Sequence, residues 1–127
     1  MGLADFFKRL GASIEVNIVL EDMEADLYPP GEGKGGRKLA ELEYQRYKSG
    51  ESAFEIEIKH RAGIPQGDEA VVLIHGVEVA RVKCLKFMTQ VKLSSKNGDE
   101  VPPIRLGDKA ELMHDGVVIA EGMFAPD

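Results

Sequence analysis

The chain has 127 residues, 43% of them hydrophobic and 30% charged, with a net charge of −6 and one cysteine. A chain of this length suits one domain that buries about two thirds of its unfolded surface, so its core needs neither disulfide nor metal. The acidic balance argues against general binding to a nucleic-acid backbone, and no stretch approaches the ~18 apolar residues of a membrane span.

Residues 2–10 read GLADFFKRL. Leu3, Phe6, Phe7 and Leu10 recur at helical spacing opposite Asp5, Lys8 and Arg9, which predicts a short amphipathic helix over 1–12 that stops near Gly11. A helix this short is marginal alone, so its apolar stripe must dock on its own domain or on a second subunit. The rest, 13–127, reads as a single β domain.

In 13–20, Ile14, Val16, Ile18 and Leu20 alternate with other residues, the pattern of a half-buried strand. A polar stretch with two prolines and four glycines follows up to Lys38 and reads as a long loop. Residues 38–48 have a helix-like composition, but Ala40, Leu42 and Tyr44 alternate, which favours a strand. Ser49-Gly50-Glu51-Ser52 then reads as a hairpin connection into a further strand, where Phe54, Ile56 and Ile58 alternate with Glu55, Glu57 and Lys59.

Residues 67–82, GDEAVVLIHGVEVARV, align without a gap on 107–122, GDKAELMHDGVVIAEG, at an offset of 40. Gly67/Gly107, Asp68/Asp108, Ala70/Ala110, Gly76/Gly116, Val77/Val117 and Ala80/Ala120 are identical. Each copy carries a turn dipeptide, His75-Gly76 or Asp115-Gly116, of the kind that closes a two-residue hairpin with positive φ at both positions. Extended segments are predicted at 69–75, 77–83, 109–114 and 117–123. Each copy also follows an alternating strand, 54–60 in the first. In the second, Phe87, Thr89, Val91 and Leu93 are expected inward and Lys86, Met88, Gln90 and Lys92 outward. The unit of strand, connection and hairpin thus occurs twice, over 54–83 and 87–124.

Short one-sided strands bury their apolar faces only in a sheet folded on itself. The expected fold is therefore mostly β: an antiparallel β-sandwich or open barrel of six to eight strands, with the short N-terminal helix. The block Gly98-Asp99-Glu100-Val101-Pro102, Leu106-Gly107-Asp108, Gly116 and Gly122-Met123-Phe124 resembles a pattern in bacterial β-rich, sandwich-like proteins of unknown function. That resemblance covers roughly 54–124 and implies fold rather than chemistry.

No motif for a catalytic, cofactor or metal site emerges. His60, His75 and His114 form no His-x-His pair, and zinc needs three or four convergent ligands; His75 and His114 at one end of a sandwich would give a weak site at most. Glu21, Asp22, Glu24 and Asp26 lack the calcium-loop pattern. In Gly31-Glu32-Gly33-Lys34-Gly35-Gly36 no Ser or Thr follows the lysine to hold magnesium. No serine sits in G-x-S-x-G. Asp68 and Asp108, each after a glycine, read as side chains that bond a nearby turn backbone. Phe87 reads as a core side chain under lysines, not as a stacking platform.

Charge is segregated. Ser13 to Gly33 holds six acids and no base, and Ala80 to Gly98 holds five bases and no acid. Cys84 has no thiol partner in the chain and is expected as a small buried hydrophobe; with no apolar leader seen in 1–12, a reducing, cytoplasmic setting is the expectation. The expected function is a non-catalytic module for protein interaction or self-association, with no cofactor. Its candidate surface comprises Leu3, Phe6, Phe7, Leu10, Lys86 and Lys92. The rivals are a small hydrolase with a His/carboxylate site and a small-ligand carrier.

Overall fold

The computed structural model describes residues 18–127. The helix expected over 1–12, with Leu3, Phe6, Phe7 and Leu10, and the first residues of the strand expected over 13–20 lie outside the described residues.

Period-two alternation of apolar and polar side chains shapes nearly every element of 18–127. The strands are β1 (Val19–Leu27), β2 (Ala40–Tyr47), β3 (Ser52–Ile58), β4 (Glu69–Ile74), β5 (Val77–Lys83), β6 (Thr89–Ser94), β7 (Lys109–His114), β8 (Val117–Met123) and β9 (Ala125–Pro126). They form two antiparallel sheets, one of five strands in the order β6-β3-β2-β1-β9 and one of four in the order β5-β4-β7-β8. The inward residues of both sheets merge into one core, in which Leu27, Leu42, Phe54 and Ile56 of the first meet Val72, Leu112 and Ala120 of the second. All seven are fully buried, and the arrangement is a β-sandwich rather than a closed barrel.

The sheets join along one side. Tyr28 and Glu121 exchange backbone hydrogen bonds of 3.0 and 2.8 Å across β1 and β8. Gly122 sits where β8 passes closest to β1, and a β-carbon there would lie 2.2 Å from the Asp26 carbonyl oxygen. Only glycine fits at such an approach. Phe124, 2% exposed, then carries the chain from β8 into the first sheet as β9.

The four hairpin strands fall where the turn dipeptides place them. His75 and Asp115 adopt φ of 54° and 50°, followed by Gly76 at 75° and Gly116 at 76°, the two consecutive positive values of a tight hairpin turn. The β4–β5 and β7–β8 hairpins share their registers at the offset of 40, Glu69↔Lys83 matching Lys109↔Met123, and each has an irregularity at the same place, Val72/Leu73 and Leu112/Met113. β4 pairs with β7 through a register in which Val72 faces Leu112, so equivalent residues meet at the centre of the four-stranded sheet. β3 pairs with β6 in the other sheet.

Three local expectations are corrected. The stretch read as a loop from Glu21 begins as strand: β1 runs to Leu27, with Met23, Ala25 and Leu27 inward and Asp22, Glu24 and Asp26 outward, whereas Ile18, Val19 and Leu20 are about half exposed. Phe87 is 69% exposed and not a core residue, because β6 begins only at Thr89 and the preceding residues form the connection from β5. His75 and His114 occupy opposite ends of the β4–β7 pair, since antiparallel pairing sets Ile74 against Ala110 and Val71 against Met113. The ambiguous segment 38–48 is strand, as β2.

Candidate functional site

The outward face of the five-stranded sheet is built by the same alternation that fills the core. In β1, β2 and β3 most outward positions are acids: Asp22, Glu24, Asp26, Glu41, Glu43, Glu55 and Glu57. Residues directly opposite on antiparallel strands share a face, and the register sets Glu24 against Glu43, Glu43 against Glu55 and Glu55 against Lys92. A second row runs Asp26, Glu41, Glu57, Gln90. Each like-charge pair directly opposite is destabilising by a fraction of a kcal/mol.

The second row is partly neutralised, two lysines facing its three carboxylates. Lys38 pairs with Glu41 and stands 3.7 Å from Asp26, and Lys59 lies 3.0 Å from Glu57. The Lys38 hydrogen bond lowers the Glu41 carboxyl below its ordinary value and raises the ammonium of Lys38. The first row differs. Glu24 feels the charge of Lys38 without forming an ion pair with it, Glu43 has no ion pair among the described residues, and Asp22, Glu43 and Asp127 place carboxylate oxygens within 4.8 Å of one another. Asp127 is brought there by β9 and by its amide, which donates to the Asp22 carbonyl at 3.0 Å.

Crowding of like charges shifts the titration of this cluster. Partial burial, then the charges of Asp26, Glu41 and Asp127, push the Glu24 carboxyl from 4.5 up to about 7. Burial, then Asp22, Asp127 and Glu55, raise Glu43 as well. Asp22 Oδ1 and Asp26 Oδ1 are enclosed without a hydrogen-bond donor, while Asp22 Oδ2 accepts from Gln45 Nε2 at 3.3 Å. Glu24 and Asp26 also border a groove of about 840 Å³ that continues past Tyr28, Gly122 and Pro126 to Lys34.

The two lysines expected at an interaction surface are not brought together. Lys92 ends the first acidic row on β6. Lys86 lies in the connection between β5 and β6, its ammonium 5.5 Å from the centre of the Phe87 ring, which is 6.2 Å from the His60 ring. Leu85, Phe87 and Met88 are 57%, 69% and 48% exposed, an apolar tip that the alternation of the sequence hides.

The aspartates after Gly67 and Gly107 acquire partners that sequence does not predict. Asp108 Oδ2 accepts from the Arg105 amide at 2.8 Å, the expected turn bond, but Asp108 Oδ1 also lies 2.8 Å from His75 Nε2. Asp68 Oδ2 lies 2.9 Å from His114 Nε2. The β4–β7 pairing thus joins a histidine near each hairpin turn to the aspartate of the other hairpin. Among the described residues neither pair includes a hydroxyl or thiol. Cys84 is 3% exposed, and burial pushes its thiol above the ordinary value.

The fold and site define a two-sheet antiparallel β protein with a carboxylate-covered face. Compared with known proteins, the chain matches no family model, no curated protein and no solved structure.

Proposed function

We propose that the chain is a non-catalytic module for protein interaction, and that it docks a partner through the outward face of its five-stranded sheet. The occupant is a protein segment presenting clustered lysine and arginine. The observation that carries this reading is the group Asp22, Glu43 and Asp127, gathered by β1, β2 and the residue after β9, with Glu24 beside it and no ion pair to any of the four among the described residues. A free chain that holds carboxylates against one another gives up stability, and a cationic partner returns it on binding. The neighbouring row supports the reading by contrast, because Lys38 and Lys59 already pair with Glu41 and Glu57 there.

The test uses a fluorescent Lys/Arg-rich peptide and its anisotropy on titration with the full chain. Replacing Glu43 and Glu55 by glutamine together should weaken binding at least about fivefold, the effect of losing about 1 kcal/mol of exposed charge pairing. Replacing Glu69 and Glu100, which lie outside this face and change net charge equally, should leave it within about twofold. Equal losses in both double variants would reduce the effect to net charge and defeat the proposal. A doubled mass at low salt, absent in the Glu43/Glu55 variant, would identify the occupant as the base-only stretch of a second copy.

A further inference from the structure

Asp68, His114 and Asp115 come from two segments 46 residues apart that the β4–β7 ladder brings together. His114 takes the inward position at the end of β7, where its counterpart in the first hairpin is the buried Ile74. Its side chain is only 18% exposed, and its Nε2 lies 2.9 Å from Asp68 Oδ2 and 3.5 Å from Asp115 Oδ2. All three ligand atoms lie within 4.8 Å of one another.

The other end of the ladder gives an internal comparison. There Asp108 receives His75 alone, and no second carboxylate joins them among the described residues. One aspartate is therefore enough to tie a histidine across the two hairpins. At the His114 end a second carboxylate converges on the same ring nitrogen, which has one proton at most to share. Three donor groups, rather than two, therefore face one point at this end of the ladder.

The spacing fits a metal cation. Ligands on a tetrahedral zinc ion at about 2.0–2.1 Å stand about 3.3–3.4 Å apart. The two nitrogen–oxygen separations, 2.9 and 3.5 Å, bracket that edge, and the two carboxylate oxygens lie within 4.8 Å of each other and close on a metal by rotation of the exposed Asp115. An imidazole with two carboxylates is a donor set for zinc and related divalent ions. Beside the two aspartates lies a hollow of about 420 Å³ bordered also by Gly67, Glu69, Arg81 and Gly116, with room for water or a small ligand next to them.

We propose that Asp68, His114 and Asp115 form a zinc-class divalent-cation site with three protein ligands and one open position. Its metal fastens the second hairpin to the first where the equivalent end is fastened by a hydrogen-bonded pair alone.

The experiment uses the full chain without a histidine tag. Calorimetric titration with zinc chloride, and with cobalt chloride read by visible absorption, should give one saturable site and the cobalt spectrum of nitrogen/oxygen ligation. His114→Ala should weaken zinc binding at least about tenfold, since even the loss of an outer-shell partner commonly costs 10–100-fold. Asp115→Asn should weaken it severalfold. Asp115 is 82% exposed, so this variant tests the site without burdening the fold. His75→Ala should stay within about twofold. The proposal is overturned by no saturable binding in the wild-type chain, by binding that His114→Ala and Asp115→Asn leave intact, or by an equal loss in His75→Ala.

Discussion

Replacing Glu24 by glutamine should stabilise the protein, and only at neutral or higher pH. In the folded chain the Glu24 carboxyl holds its proton up to about pH 7, against 4.5 for an unperturbed glutamate. Below 4.5 the folded and unfolded chains both carry the proton, so the side chain contributes no penalty. Between 4.5 and about 7 the unfolded chain sheds it first, and stability falls as pH rises. Above about 7 the full penalty applies. At about 1.36 kcal/mol for each pH unit between the two values the ceiling is about 3.4 kcal/mol. Glu24 is only half-buried, and solvent screening reduces the effect to about 1–2 kcal/mol. Glutamine keeps the shape and removes the charge. Thermal unfolding followed by circular dichroism should show Glu24→Gln raising Tm by about 4–8 °C at pH 8, with wild type and variant coinciding at pH 4. At 0.5 M salt the gap at pH 8 should narrow. An equal gap at both pH values, or a lower Tm in the variant at pH 8, would refute the account of the acidic face.

Packing sets two more expected outcomes. Gly122→Ala places a methyl group 2.2 Å from the Asp26 carbonyl and should cost about 2–4 kcal/mol in chemical denaturation, because backbone must move to admit it; an unchanged midpoint would mean that β1 and β8 do not approach as described. Cys84 is buried, with its thiol held above its ordinary value by desolvation, so a thiol reagent should label it at least about a hundredfold more slowly in the native chain than in urea, and comparable rates would contradict its burial.

The parts of the fold that were legible in sequence are those governed by neighbours along the chain. His75-Gly76 and Asp115-Gly116 mark their own turns, and Phe54, Ile56 and Ile58 declare their face by alternation. β1 was obscured because its inward residues, Met23, Ala25 and Leu27, include one small and one flexible side chain, and acids fill the intervening positions. That pattern reads as polar chain when followed by Tyr28-Pro29-Pro30. Phe87 fits an alternation that continues past the true start of β6, and period alone does not mark where pairing begins.

The candidate site was less legible for a different reason. Glu55 and Glu57 were readable as outward, but that Glu43 stands between Glu24 and Glu55 depends on the register of three strands. The two His–Asp pairs require the β4–β7 pairing, which turn chemistry does not specify. Lys92 stands in a base-only stretch of the sequence, and its position at the end of an acidic row appears only once β6 is placed beside β3.

The ladders that hold the two halves together have a kinetic consequence. Val72 and Leu112 are 40 positions apart in the chain, Ala53 and Ser94 are 41 apart, and Met23 and Pro126 are 103 apart. Three hairpins, β2–β3, β4–β5 and β7–β8, close over only a few residues and form within microseconds. The longer closures must give up chain entropy before any contact compensates it, so assembly of the preformed hairpins sets the pace of folding. While they wait, the inner borders of β4 and β7 stand unpaired, and each is shaped to receive a strand with its own pattern of side chains.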